Sequence, residues 1–266
     1  MINHGALAKI LTGLFLLGTT ALLAQSNRDS WQQVLNAKKG SITATWYTSR
    51  PFIESTADGG ITGIEYDILV GFQEYLRHKH AIELDIVWTK NESFLDTYQS
   101  IRDSDAPGMF GVSAFSITAE RQKEVAFAPP YMADIAVLIS SYDIPIVHNT
   151  SDFVSTFNNL TAVTIEGTTY ARDLMRLKEQ YGLNFSIEYI PSSGNILETV
   201  ASRKGTFGFI DLPIYLTAFS RNSTLSLKRQ NLFPVKRTGY SIILPRTSDW
   251  SSPLEEYFLS REFQDR

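Results

Sequence analysis

From Ser41 to Phe263 the chain alternates between two kinds of segment, and this alternation constrains the fold more than any other feature. Short β-branched or apolar runs at 41–47, 82–88, 108–113, 135–140, 161–165, 185–190, 206–210 and 239–244 read as strands. Between them lie longer segments with helical periodicity. In 65–79, Ile68, Leu69, Phe72, Tyr75 and Leu76 share one face; in 170–181, Tyr170, Leu174, Leu177 and Tyr181 do. Helices are also predicted over 91–102, 195–203 and 250–263, one opens at Asp211-Leu-Pro213, and Ser151-Asp152 can cap another. Strand–helix alternation predicts parallel βαβ units, hence an α/β fold with helices on both faces of the sheet. Two α/β lobes fit the pattern better than one long sheet. Residues 25–39 are polar and read as a loose leader.

The first residues read as a targeting segment. Lys9 precedes an apolar run from Ile10 to Leu23, and Ala24 before Gln25 is a cleavage point. Residues 1–24 are therefore expected to be a secretory signal peptide, the run being short for a membrane span. A retained N-terminal anchor is the alternative. The 266 residues contain no cysteine, which excludes disulfides, a thiol nucleophile and thiolate metal sites. The histidines His4, His78, His80 and His148 have no metal-ligand spacing. A net charge of −4 argues against a nucleic-acid partner. A periplasmic location follows most simply. The sequons at Asn91, Asn149, Asn159, Asn184 and Asn222 keep an extracellular, eukaryotic setting open.

One stretch carries chemistry. From Ser113 to Tyr131, small and hydroxyl residues (Ser113, Ala114, Ser116, Thr118) precede a lone arginine, Arg121, and a Pro-Pro-Tyr stop. Small residues let backbone N–H groups approach a ligand, and a guanidinium fork matches a carboxylate. The stretch reads as a carboxylate cradle; the alternative is a loop with a surface arginine.

The same stretch resembles the S-x-S-I-T-x-E-R-x-x-x-V-x-F-x-x-P-Y segment of the amino-acid-binding type of bacterial periplasmic solute-binding proteins, family 3. Gly167-Thr168-Thr169 resembles the second-lobe G-T-T loop of that family, and Gly208-Phe-Ile-Asp211 its aspartate after a short strand. The resemblance spans residues 40 to 250. It implies the two-lobed type II periplasmic-binding-protein fold, each lobe a mixed sheet flanked by helices, with a two-strand hinge near 132–138 and 233–238. Lobe 1 would hold residues 40–133 and 237–266, and lobe 2 residues 138–232.

The resemblance further implies a ligand set. Arg121 would clamp a carboxylate, with Ser116 and Thr169 as donors; Asp211 would meet an ammonium, helped by the Ser113 backbone carbonyl; Ala114 and Thr168 would also contact the ligand. Thr169 and Asp211 can equally be ordinary helix N-caps. The aromatics that sandwich a ligand side chain in many members are replaced by Ser49 and Ile64, while Pro51-Phe52 survives. Trp46 and Tyr47 lie nearby as candidates to compensate, core packing being the alternative for both, and Phe115 also lies at the cradle. The implied protein binds a small amino-acid-like ligand as a monomer, without cofactor, and delivers it to an ABC transporter or sensor. A dehydratase of the same fold, acting on cyclohexadienyl or arogenate-like rings, is the enzymatic alternative; Glu65, Glu120 or Glu166 would then supply a carboxylate. The sensory domain of a receptor is the third.

Overall fold

The computed structural model describes residues 28–222 and 224–265; the signal peptide read at residues 1–24 lies outside them. Most of the described helices begin where the sequence supplies a side-chain cap. Ser30 and Gln33 form a reciprocal capping box for α1 (Trp31–Ala37). Residues 31–37 are thus helical rather than part of a loose leader. The S-x-x-Q pattern was the signal, and Val34 is the residue the helix buries.

β1 (Lys39–Trp46) leads through a hairpin, β2 (Glu54–Ser55) and β3 (Ile61–Thr62), into α2 (Ile64–His80). Gly63 starts α2 at φ 128°, where a Cβ would lie 2.4 Å from the Phe52 carbonyl oxygen. Only glycine tolerates that approach. β4 (Glu83–Lys90), the Ser93-capped α3 (Phe94–Arg102), β5 (Met109–Ser116) and β6 (Ala126–Phe127) follow. β5 runs three residues past the predicted end, so the start of the cradle is strand, not loop.

β7 (Met132–Ser141) is followed by α4 (Thr150–Phe157), which Asn149 caps instead of Ser151-Asp152. Next come β8 (Thr161–Thr164), α5 (Thr169–Tyr181), β9 (Ser186–Tyr189), α6 (Ser193–Ser202) and β10 (Thr206–Asp211). α7 (Leu212–Arg221) carries Pro213 in its first turn, where no N–H is missed. β11 (Leu227–Arg229) and β12 (Val235–Leu244) precede α8 (Ser251–Phe258) and α9 (Arg261–Gln264). The single helix expected over 250–263 is broken at Leu259, because the Ser260 side chain accepts from the Phe263 N–H and starts a new helix.

The strands form one mixed sheet in the order β4-β1-β5-β12-β7-β10-β8-β9, with β11 on β7 and β6 on β12. The outer pairs β1–β4, β1–β5, β8–β10 and β8–β9 are parallel, as alternation predicts. The centre is antiparallel: β12 runs against β5 and β7, and β7 against β10. The sheet thus has two parallel halves joined through β7 and β12. In the first half, α2 and α8 bury Leu69, Phe72, Leu254 and Tyr257 against Ile42, Phe110 and Trp250. In the second, α4, α5 and α6 cover Phe207 and Phe209, with Phe153, Phe157, Leu174 and Val200. No described helix is long and apolar enough to cross a membrane.

Candidate functional site

The ends of β1 and β5 in the first half face the starts of α5, α6 and α7 in the second. β5 ends irregularly: its register with β12 shifts between Ser241 and Ile243, opposite the stretch from Gly111 to Phe115. Ala114 there has φ 55°, a left-handed conformation that costs energy for any residue with a Cβ. Two contacts hold it. The Ala114 N–H donates to Glu65 Oε2 at 3.0 Å, and the Ser113 hydroxyl accepts from the Tyr47 N–H at 2.9 Å. Glu65 sits in the first turn of α2, fully buried, and its Oε1 accepts from the Tyr131 hydroxyl at 3.0 Å. Burial pushes its carboxyl up to about 8, with those two hydrogen bonds opposing.

Arg121 lies on a short 3₁₀ turn and is 4% exposed. Its guanidinium carbon lies over the rings of Tyr98, Phe94 and Phe115 at 5.2, 5.4 and 5.9 Å. Nη1 donates to the Ser116 carbonyl at 3.2 Å, and Nη2 crosses to the second half to donate to the Gly167 carbonyl at 3.1 Å. Burial, then repulsion from Arg172, lowers its pKa to about 10, so it stays charged at neutral pH. Among the described residues its hydrogen-bond acceptors are carbonyls, and it forms no ion pair. A buried cation with only neutral partners is costly.

Asp211 closes the opposite side. It occupies the N-cap position of α7, yet its side chain makes no capping bond, so the simple cap reading does not account for it. Its N–H donates to the Tyr170 hydroxyl at 3.1 Å. The side chain is buried, and Oδ1 has no hydrogen-bond partner. Burial, with the Asp134 carboxylate adding, raises its pKa to about 7, while the Tyr170 and Tyr240 hydroxyls oppose the shift.

The two groups line one cavity together with Tyr47, Ser113, Ala114, Ser116, Thr168 and Thr169. Its volume is about 20 Å³, the space of about one water molecule. The halves touch around it: Ser116 Oγ is 3.4 Å from Thr169 Oγ1, and the Tyr47 hydroxyl donates to the Pro191 carbonyl. Burial raises the Tyr47 hydroxyl to about 12. Thr168, not Thr169, is the N-cap of α5, its hydroxyl donating to the Ile165 carbonyl at 2.7 Å. Thr169 therefore sits in the first turn with its hydroxyl turned to Ser116.

Eight of the nine residues singled out from the sequence meet at this cavity. Phe115 is the exception; it lies behind Arg121, as part of the aromatic bed. Ser49, read from the sequence as standing where many family members carry a ligand-sandwiching aromatic, also lines the cavity; Phe94, Ile165, Tyr170 and Ser193 line it as well, and none of these four was expected there. Ser193 had a signal, the Ser192-x-x-Asn195 cap that turns α6 toward this point. Glu65 supports the cavity without lining it, and Glu120 and Glu166 are exposed and also absent from its lining. Among the described residues no cluster of three side chains offers a metal site.

The model of the bacterial extracellular solute-binding proteins, family 3, matches residues 42–184, which span α2, the cradle and the Gly167 loop. The chain belongs to this family. Solved structures share its fold. The ligand-binding core of GluR0 from Nostoc punctiforme, in complex with L-glutamate, has a TM-score of 0.63 at 18% identity, covering 82% of this chain and 91% of that one. An ancestral arginine-binding protein bound to arginine gives 0.68 at 12% identity, covering 84% and 95%. A periplasmic binding protein of Salmonella typhimurium with high arginine specificity gives 0.64 at 18%, covering 85% and 97%. No curated protein matches the chain by sequence. The fold described above is thus that of type II periplasmic binding proteins.

Proposed function

We infer that this family 3 protein binds a free amino acid, or a similar small zwitterion, between Arg121 and Asp211. One observation carries the reading. A buried guanidinium without a carboxylate and a buried carboxyl oxygen without a donor line the same cavity from opposite halves of the molecule. A zwitterion satisfies both at once, its carboxylate on the cation and its ammonium on the anion. Ser116 and the first turn of α5 at Thr168 and Thr169 add donors, and the helix dipole there favours an anion. Ser113, Ala114 and Tyr47 shape the wall. Phe115 acts from behind, as support for Arg121.

The cavity is far smaller than the roughly 300 Å³ or more of ordinary ligand pockets. A ligand must therefore part the Arg121–Gly167 and Ser116–Thr169 contacts. The halves then act as lobes, residues 40–133 with 237–266 and residues 138–232, swinging about β7 and β12. The family, bacterial and extracellular, supports a secreted periplasmic protein that hands its ligand to an ABC transporter or a membrane sensor. The fold relatives described with L-glutamate or arginine support an α-amino acid as the ligand class. A thermal-shift and calorimetry panel of the twenty amino acids, run on wild type, Arg121→Ala and Asp211→Asn, tests it. At least one amino acid should raise the wild-type midpoint and lose that effect in both variants. Binding indifferent to both substitutions would refute the assignment.

A further inference from the structure

A second, larger hollow adjoins the cavity. Its volume is about 610 Å³, within the range that takes a whole small-molecule ligand. It lies between Thr48 and Arg50 of the first half and α6 and α7 of the second. Its inner wall is carbon: Leu197 and Ala201 on α6, Ile214 and Ala218 on α7, and Leu225 beyond them. Each helical pair is spaced i, i+4, so each helix offers one apolar stripe. Leu197 and Ile214 are buried, and the two alanines leave the space open.

The hollow and the cavity are neighbours in a specific way. Ser193, the first residue of α6, lines both. In the segment after β1, Tyr47 and Ser49 line the inner cavity and Thr48 and Arg50 the outer one. Ser49 and Ser193 are short, so the side chain that stands between the two spaces is that of Tyr47, whose hydroxyl bridges the halves at the Pro191 carbonyl. Of the three charged residues at the outer rim, two are paired and the third, Glu198, is exposed to solvent. Arg50 is paired with Glu54, and Arg221 lies 3.9 Å from the same carboxylate.

We propose that this hollow receives the side chain of the ligand, and that the ligand is an α-amino acid with a bulky apolar side chain, aromatic or branched aliphatic. The proposal rests on the reading of Arg121 and Asp211 as the clamps of the zwitterion. The inner cavity, walled by Phe94, Ile165 and Tyr170, offers no room for a side chain. The route past Ser49 and Ser193 leads to carbon. An acidic side chain meets only arginines already held by Glu54, and a basic one only the exposed, water-screened Glu198, whereas an apolar one is removed from water along the carbon wall.

Calorimetry on the protein with L-alanine, L-leucine and L-phenylalanine tests this, with Ala218→Phe and Ala201→Leu as two independent ways to fill the hollow and Arg121→Ala as control. L-Leucine or L-phenylalanine should bind wild type at least about tenfold tighter than L-alanine. Each filling variant should erase that advantage while alanine binding, which also reports correct folding, stays within about twofold. Equal binding of all three ligands to wild type would overturn the proposal. So would tight binding of leucine or phenylalanine that needs Arg121 but ignores both filling variants, and in either case the zwitterion clamp stands. If no amino acid binds in an Arg121-dependent way, the clamp itself is refuted, and this inference with it.

Discussion

The Arg121 guanidinium donates to the carbonyl oxygen of Gly167 at 3.1 Å, across the boundary between the two halves of the molecule. Gly167 has φ 75°, in the left-handed region that glycine enters without strain, and it directly precedes the cap of α5. The contact joins the cradle to the G-T-T loop. It is a neutral acceptor for a desolvated cation, so a carboxylate in its place is the better partner.

Arg121→Ala should therefore weaken ligand binding by more than a hundredfold, roughly 3–5 kcal/mol, by leaving a buried carboxylate without its cation. Arg121→Lys should not restore it, because a point charge lacks the fork and the flat stack on Tyr98, Phe94 and Phe115. Calorimetry measures both. Small-angle scattering at saturating ligand should show wild type changing its radius of gyration and Arg121→Ala unchanged. A normal Arg121→Ala isotherm would end the cradle reading.

Binding should also depend on pH through Asp211. Burial places its pKa at about 7, and only the ionised form attracts an ammonium. Affinity should thus be full above pH 8 and fall about tenfold per pH unit below 7, the limiting slope for one required deprotonation. Calorimetry in two buffers of different ionisation enthalpy should detect release of a proton on binding near pH 6. Asp211→Asn should bind weakly at every pH, with a flat profile. A wild-type affinity constant from pH 5.5 to 8.5 would contradict the ammonium role.

What the sequence revealed and hid follows from the range of the forces involved. α2 and α5 were legible because their buried faces repeat every three to four residues, and β1 and β8 because β-branched runs are local. The antiparallel centre was not, since β7 and β12 pair across a hundred residues and nothing local records direction. α1 was legible only through its Ser30–Gln33 box, which polar composition masked. At the site, Arg121, Thr169 and Asp211 stood out by motif. Phe94, Ile165 and Ser193 did not, since each is ordinary in its own segment and reaches the cavity only through tertiary packing. Glu65 lay in view as an exposed-looking charge on a helix start. Its role beneath Ala114 appears only when α2 meets the end of β5.

Glu65 makes a separate prediction about stability. Its folded pKa of about 8 lies above the ordinary carboxyl value of 4.5, so the folded state holds the proton more tightly. Stability from this group is therefore fully present below about pH 4.5 and is lost as pH rises through 8. Protonated, the carboxyl can still accept from Ala114 and donate to Tyr131. Glu65→Gln preserves that pattern, with its amide oxygen toward Ala114 and its NH₂ toward Tyr131. The variant should match wild type near pH 5 and be more stable by a few kcal/mol near pH 9. Urea melts at the two pH values measure the difference. Glu65→Ala should instead cost about 1–3 kcal/mol, because it leaves the Ala114 N–H without its acceptor.

The joining strands tune the same acid. Arg237 on β12 lies directly opposite Asp134 on β7; Nη1 reaches Asp134 Oδ1 at 3.1 Å, and Nη2 donates to Asp173 on α5. Burial lowers the pKa of Arg237, but the Asp134 and Asp173 carboxylates outweigh it and leave it raised. Both Arg237 and Asp134 act on Asp211, with opposite sign: the Asp134 charge raises the Asp211 pKa and the Arg237 charge lowers it. Asp134→Asn should therefore move the acid limb of ligand binding to lower pH. Arg237→Met should move it to higher pH and also destabilise the fold by about 3–5 kcal/mol, since it strands Asp134, which is 0% exposed. The double variant removes both charges, so it should recover most of that stability and return the limb toward its wild-type position. Limbs that shift in the same direction in the two single variants would show that packing, not charge, links these strands to the site.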